Sequence, residues 1–300
     1  MAILPLNITN IYQTELQPLD FVFNGLKTKT IGFISSAGGT GKSMLALHLA
    51  FSLADTSCKY NFEPIITRDT KRGRVTYLSL EDPQDVLEYR IKNICQHIGD
   101  YNIIDTISQN LFIYPLYGTG FQLFNEKGEL NSKVYKNLLD LGHTSRLLII
   151  DTFRRLHNFD ENNNGAMSEL LSILETICNQ TETTILLLHH QNKSAINEKN
   201  NNQTAMRGAS ALVDNARLVI NLSTLSEKEA EAYSIQKERR KEYVKVSYAK
   251  VNYSRPLDDF VLARGFGGTL SLCNCSKKNN KKSNIEGEEN NNFLKGLKDD

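Results

Sequence analysis

The stretch SSAGGTGKSMLALHLA at residues 35–50 constrains this chain more than any other. It follows the spacing G-x-x-x-x-G-K-[ST], with Ser36 in place of the first glycine. Gly38, Gly39 and Gly41 lack Cβ atoms, so the loop can turn its backbone N–H groups inward. The apolar helix that follows presents its positive end to the same point. An apolar run, TIGFISS, leads into the loop, so strand, loop and helix come in the order a phosphate-binding loop requires. In that reading Ser36, Ala37, Gly38, Gly39, Thr40, Gly41, Lys42 and Ser43 form the cradle for a nucleoside triphosphate such as ATP. Lys42 reaches the β- and γ-phosphates, and the Ser43 hydroxyl holds Mg2+. A glycine-rich turn without a ligand is the plain alternative.

The segments around the loop alternate. TIGFISS, RVTYLSL, LFIYPL, RLLIID and TTILLLHH are short, nearly continuous apolar runs, as expected of strands covered on both faces. KSMLALHLAFSLAD, PQDVLEYRIKNICQHI, KVYKNLLDLG and GAMSELLSILETICNQ space their apolar residues as helices do. The pattern predicts an α/β fold with a largely parallel sheet and helices on both faces. Residues 191–208, QNKSAINEKNNNQTAMRG, read as a long polar loop. ALVDNARLVINLS, EYVKVSYAKVNYS and DDFVLARGFGGTLSL read as added C-terminal strands, the last with a Gly-Gly turn. Residues 1–275 are expected to form a single domain, and the low-complexity tail at 276–300 to be disordered.

Composition narrows the partners. A formal net charge of +1 excludes a uniformly basic coat, so any nucleic-acid contact must be a local patch or pore. Cys58, Cys95, Cys178, Cys273 and Cys275 form an odd, scattered set without a CxxC pair, which fits a reducing compartment and disfavours zinc or a disulfide framework. No leader-like N-terminus and no run approaching the roughly 20 apolar residues of a membrane span is visible. A cytoplasmic protein without membrane contact is expected.

The remaining chemistry gathers at strand ends. Asp151 closes the apolar run RLLIID and so lies where it can hold a magnesium-bound water beside Ser43; a turn-starting aspartate is the simpler alternative. Residue 152 is threonine, so no second acid follows it, and the base must come from elsewhere. Glu81 in YLSLEDP can orient the attacking water or belong to a helix cap, and Asp82 before Pro83 is expected to cap the next helix. His189 and His190 end LLLHH, where a side chain can report the γ-phosphate to the loop that follows or simply begin that loop. Within the loop, Lys193 and Lys199 offer sequence-independent contacts to a single-stranded DNA backbone. Arg207 can act as a finger on a neighbour's γ-phosphate, contact DNA, or be a surface charge. Lys250 in YAKVNYS is a second cross-subunit candidate, or an outward lysine on a strand.

Taken in order, the loop, LSLEDP, LLIIDTFRRLH, LLLHH, RGASALVDNARLVI and VSYAKVNYS resemble the RepA-type replicative helicases of broad-host-range plasmids, over about residues 15–270. The resemblance implies a RecA-like P-loop core and a homohexameric ring that hydrolyses nucleoside triphosphate while moving along single-stranded DNA. It also implies the base role for Glu81, the magnesium role for Asp151, the γ-phosphate sensor role for His190 and the cross-boundary role for Arg207. Origin-binding and primase segments are not visible, so a plasmid replication initiator and a primase are expected as separate partners. The alternative is a RecA-like regulatory ATPase that binds DNA or a protein without unwinding.

Overall fold

The computed structural model describes residues 4–125, 127–190 and 210–275. Helix α1 (Ile8–Gln13) and a hairpin of β1 (Phe21–Phe23) and β2 (Leu26–Lys27) lead in. The core then runs β3 (Ile31–Ser36), α2 (Lys42–Ala54), β4 (Val75–Ser79), α3 (Gln84–Ile98), α4 (Tyr101–Ser108), β5 (Leu111–Pro115), α5 (Ser132–Gly142), β6 (Leu147–Asp151), α6 (Asn164–Thr181) and β7 (Thr184–His190). After it come α7 (Ser210–Asn215), β8 (Leu218–Thr224), α8 (Glu227–Ala232), β9 (Tyr243–Val251), β10 (Phe260–Arg264) and β11 (Leu270–Leu272).

Among the described residues, β3 to β11 form a nine-stranded sheet in the order β11-β10-β9-β8-β3-β7-β6-β4-β5. The strands from β8 to β5 run parallel, and β9, β10 and β11 extend the sheet antiparallel. This is the predicted α/β architecture. β3, β4 and β6 are buried at every position, as their unbroken apolar runs require, whereas β5 stays half-exposed because it is the sheet edge. Alternation along the strands splits the core in two. Ile34, Tyr77 and Ile149 pack with α2, and Phe33, Leu148 and Ile150 pack under α6. Helix α2 is buried along nearly its whole length between the sheet and its neighbours α3 and α4, which explains why it is apolar on all sides. None of the described helices is long and apolar enough to cross a membrane.

Several expectations need correction. ALVDNARLVINLS is not one strand: Ser210–Asn215 forms α7, and β8 begins only at Leu218. Helix α7 packs on α6 and buries Leu212 in the same core layer, a tertiary contact that overrides local strand preference. Helix α4 has no counterpart in the apolar periodicity read above; Asp100 caps it by accepting from Asn102 N at 2.8 Å. Cys273 and Cys275 are joined in a disulfide across a sequence separation of 2, so the pair closes only a local loop, while Cys58, Cys95 and Cys178 are free. The expected tail at 276–300 lies outside the described residues.

The C-terminal hairpin is pinned to α2. Leu270 N donates to His48 Nε2 at 2.9 Å, which makes Nε2 the unprotonated nitrogen and leaves Nδ1–H to donate to Tyr60 Oη at 2.5 Å. Burial holds the His48 pKa down to about 3, so the ring is neutral and satisfied on both sides. His48→Leu leaves a buried N–H and a buried hydroxyl without partners and is expected to cost about 2–4 kcal/mol. Urea unfolding at pH 7 measures this; a loss under about 0.5 kcal/mol would show that the hairpin is held without the ring.

Candidate active site

Four strand ends meet at one edge of the sheet. β3 runs into the glycine-rich loop, Ser36 lies in register with His190 at the end of β7, and Ser79 of β4 lies in register with Asp151 of β6. Glu81 follows β4 by two residues. The strand order reverses around β3, whose neighbours are β7 and β8, so the crevice beyond the strands' C-terminal ends opens at this point.

The loop conformation accounts for its sequence. Gly39 and Gly41 have φ of 72° and 110°, backbone that side chains rarely adopt. Ser36, by contrast, is still the last residue of β3 with ordinary extended backbone, so a serine there costs the turn nothing. Its hydroxyl donates to Ala37 O at 2.7 Å, and Thr40 Oγ1 donates to the same carbonyl at 2.8 Å. Leu45 N bonds to Gly41 O at 2.9 Å and opens α2.

Lys42 is 5% exposed, and its ammonium is held by neutral groups. It donates to Ser36 O (3.3 Å), Ser36 Oγ (3.1 Å), Ala37 O (3.4 Å) and His190 Nδ1 (3.1 Å). Among the described residues it makes no ion pair, and burial lowers its pKa against the opposing pull of Asp151 and Glu81. An ammonium can only donate, so His190 Nδ1 accepts and the ring proton sits on Nε2, which donates to Glu81 Oε2 at 3.2 Å. His190 thus bridges Lys42 and Glu81. That bond is the main cause holding the Glu81 carboxyl below its usual range. His189 points to the other face, is 5% exposed, and lies 3.4 Å from Glu161 Oε2. Strand alternation separates the two histidines.

Asp151 is 2% exposed. Tyr77 donates to its Oδ2 at 2.6 Å, and the Ser43 side chain also hydrogen-bonds it. Burial nonetheless pushes its pKa up, because neither partner carries a positive charge. Asp82 does not cap α3: Pro83 takes the N-cap position, and Asp82 pairs with Arg90 one helix face away. Pro83, with its fixed φ, occupies the N-cap position, which leaves the Asp82 carboxylate to the guanidinium.

Two cavities share a wall. The first, about 280 Å³, is lined by Gly39, Lys42, Ser43, Arg90 and Arg264 among others; the second, about 340 Å³, by Thr152, Arg154, Arg155, His157 and Asn158. Glu81 and His190 line both. A separate cavity of about 400 Å³ beside the β1–β2 hairpin contains none of the predicted residues. Lys250 lines neither shared cavity; it donates to Asp214 O at 2.9 Å. Lys193, Lys199 and Arg207 lie outside the described residues. Sequence reading misses Tyr77, Arg90 and Arg264. Of these, Tyr77 leaves a local signal, as a phenol within a fully buried strand.

Tyr77→Phe removes the 2.6 Å hydrogen bond to the buried Asp151 carboxylate while keeping the ring, and is expected to destabilise the fold by about 1–3 kcal/mol. Urea unfolding at pH 7 checks it, and an unchanged midpoint would mean that Ser43 suffices to satisfy Asp151.

Comparison with known proteins agrees with this fold. A solved ATPase domain superposes with a TM-score of 0.55 at 16% identity, covering 82% of this chain and 85% of that one. A DnaB-like replicative helicase, from a structure titled for its interactions with primase, gives 0.56 at 15% identity over 81% of this chain and 57% of that one. The RadB recombinase gives 0.50 at 12% identity, covering 82% and 91%. Identities this low carry the fold, which is RecA-like. Residues 3–195 match the AAA_25 family, described as an AAA domain. With the phosphate loop, the buried lysine and the carboxylates at one sheet edge, the chain belongs to the AAA_25 family and is an AAA-domain ATPase.

Proposed function

We propose that this chain is a RepA-type helicase: a homohexameric ring that hydrolyses ATP with Mg2+, translocates on single-stranded DNA and serves plasmid or mobile-element replication. The observation that carries the reading is the His190 bridge from Lys42 to Glu81, in the wall between the loop cavity and the arginine-lined cavity. A group that touches both cavities can pass the state of one to the other.

The residues fit a magnesium nucleotide. Lys42 is a buried cation among neutral acceptors, an arrangement that favours an incoming anion. Ser36 to Ser43 form the cradle, with the amides of the turn and the start of α2 facing the phosphates. Ser43 and Asp151 hold the metal, which offsets phosphate charge when bound. Glu81, kept ionised by His190, orients and deprotonates the attacking water. His190 senses the γ-phosphate because a phosphate that draws Lys42 away weakens the bridge to Glu81. Arg207 reaches a neighbour's γ-phosphate, with Lys250 as the alternative for that cross-subunit role. Arg154 and Arg155 join Lys193 and Lys199 as phosphate-backbone contacts. Residues 1–275 act as one ATPase domain, and an initiator and a primase are separate partners.

Strand displacement on a forked duplex tests the reading. ATP-dependent displacement supports it, and DNA-stimulated hydrolysis without displacement supports instead a regulatory ATPase. Lys42→Ala should abolish hydrolysis, because the phosphates lose their side-chain cation. Glu81→Gln should bind magnesium nucleotide normally while turnover falls by about 10²–10⁴-fold; normal turnover would move the base elsewhere. Arg207→Ala should be inactive even without DNA, and mixing it with Lys42→Ala should restore part of the activity at mixed boundaries. Normal DNA-free hydrolysis by Arg207→Ala would shift the finger role to Lys250.

A further inference from the structure

Arg264 ends β10 and lies against the phosphate loop, in the lining of the loop cavity. It donates through Nη2 to Thr40 O and, at 3.5 Å, to Gly39 O. Its Nη1 lies 3.3 Å from where a Cβ on Gly41 would be, so the guanidinium occupies the space that glycine leaves open. Among the described residues no carboxylate pairs with it, and burial lowers its pKa. A half-buried guanidinium whose partners are two loop carbonyls is placed to hold those carbonyls.

The planar trans peptide gives that contact a consequence. In each peptide unit the C=O and the following N–H point in opposite directions. Holding Gly39 O and Thr40 O toward the guanidinium therefore directs the N–H groups of Thr40 and Gly41 away from it, into the turn, where an anion would be received. The mount for this contact is firm. Leu270, in register with Arg264 across the hairpin, bonds to His48 of α2. The turn at Gly267 is packed so closely on Asn93 of α3 that an added Cβ would collide with its side-chain amide. The same helix that begins at the phosphate loop thus anchors the hairpin that grips the loop.

We propose that Arg264 is a positioning residue of the phosphate loop: its guanidinium holds the carbonyls of Gly39 and Thr40 toward itself and so orients the amides of Thr40 and Gly41 toward the triphosphate. The proposal rests on the reading of the loop as a nucleotide site. It also ties the C-terminal hairpin to nucleotide occupancy, since a loop that shifts on binding pulls on Arg264.

The test uses the full chain with Arg264→Met, which keeps the aliphatic stem without donors, and Arg264→Lys, which keeps a charged donor. Binding of magnesium and a fluorescent ADP is measured by anisotropy, and exchange of the Thr40 and Gly41 amides is measured without nucleotide. Arg264→Met should bind about tenfold to a hundredfold more weakly, the loss of one charged hydrogen bond, with KM raised more than kcat is lowered. Its Thr40 and Gly41 amides should exchange faster, and Arg264→Lys should recover most of both effects. Binding by Arg264→Met within twofold of wild type, or unchanged exchange at both amides, would overturn the proposal. Failure of the wild-type chain to bind magnesium ADP would instead overturn the nucleotide site, and the exchange measurement would still decide the role of Arg264.

Discussion

The site is organised around one buried ammonium that pairs with no carboxylate among the described residues. Lys42 is surrounded by two carbonyls, a hydroxyl and an imidazole nitrogen, none of them charged. Burying a cation this way is unfavourable unless every proton of the ammonium finds an acceptor, and here the end of β3, the loop and the end of β7 together supply them. The cost of that arrangement is the same property that makes a phosphate welcome. It also sets the tautomer of His190 and, through it, the ionised state of Glu81.

Sheet order makes the arrangement possible. Placing β3 between β7 and β8 puts the loop next to His190, and placing β6 between β7 and β4 puts Asp151 next to Ser79 and two residues from Glu81. Parallel strands bring these ends to one edge, where backbone groups have no further strand to pair with and side chains face the crevice. The helices divide the supporting work. α2 and its apolar neighbours fix the loop side, while α5, α6 and α7 fill the opposite layer.

The two carboxylates at this edge are shifted in opposite directions by different surroundings. Asp151 is wholly enclosed, and its neutral partners leave its pKa raised. Glu81 is 42% exposed, and the proton donated by His190 lowers its pKa. Separation of this kind is the usual basis for assigning two acids two tasks, and it follows here from burial and one imidazole. Tyr77 acts on the carboxylate from outside the loop cavity, and Arg264 acts on the loop from the cavity's own wall.

The phosphate loop, the run of buried strands and the helices between them are legible in the amino-acid order alone. Loop glycines, period-2 and period-3.6 patterns and apolar strand cores are local properties, and Ser36, Lys42, Ser43, Glu81, Asp151 and His190 all lie within or beside such segments. Folding in three dimensions settled what local pattern cannot encode. It gave His189 to Glu161 on one face of β7 and His190 to Lys42 and Glu81 on the other. It gave Asp82 to Arg90 instead of to the helix cap, turned Ser210–Asn215 into a helix by packing it on α6, and set Arg264 on Gly39 and Thr40 from more than two hundred residues away. These are contacts between elements distant in the chain, and only the folded sheet brings them within hydrogen-bonding reach.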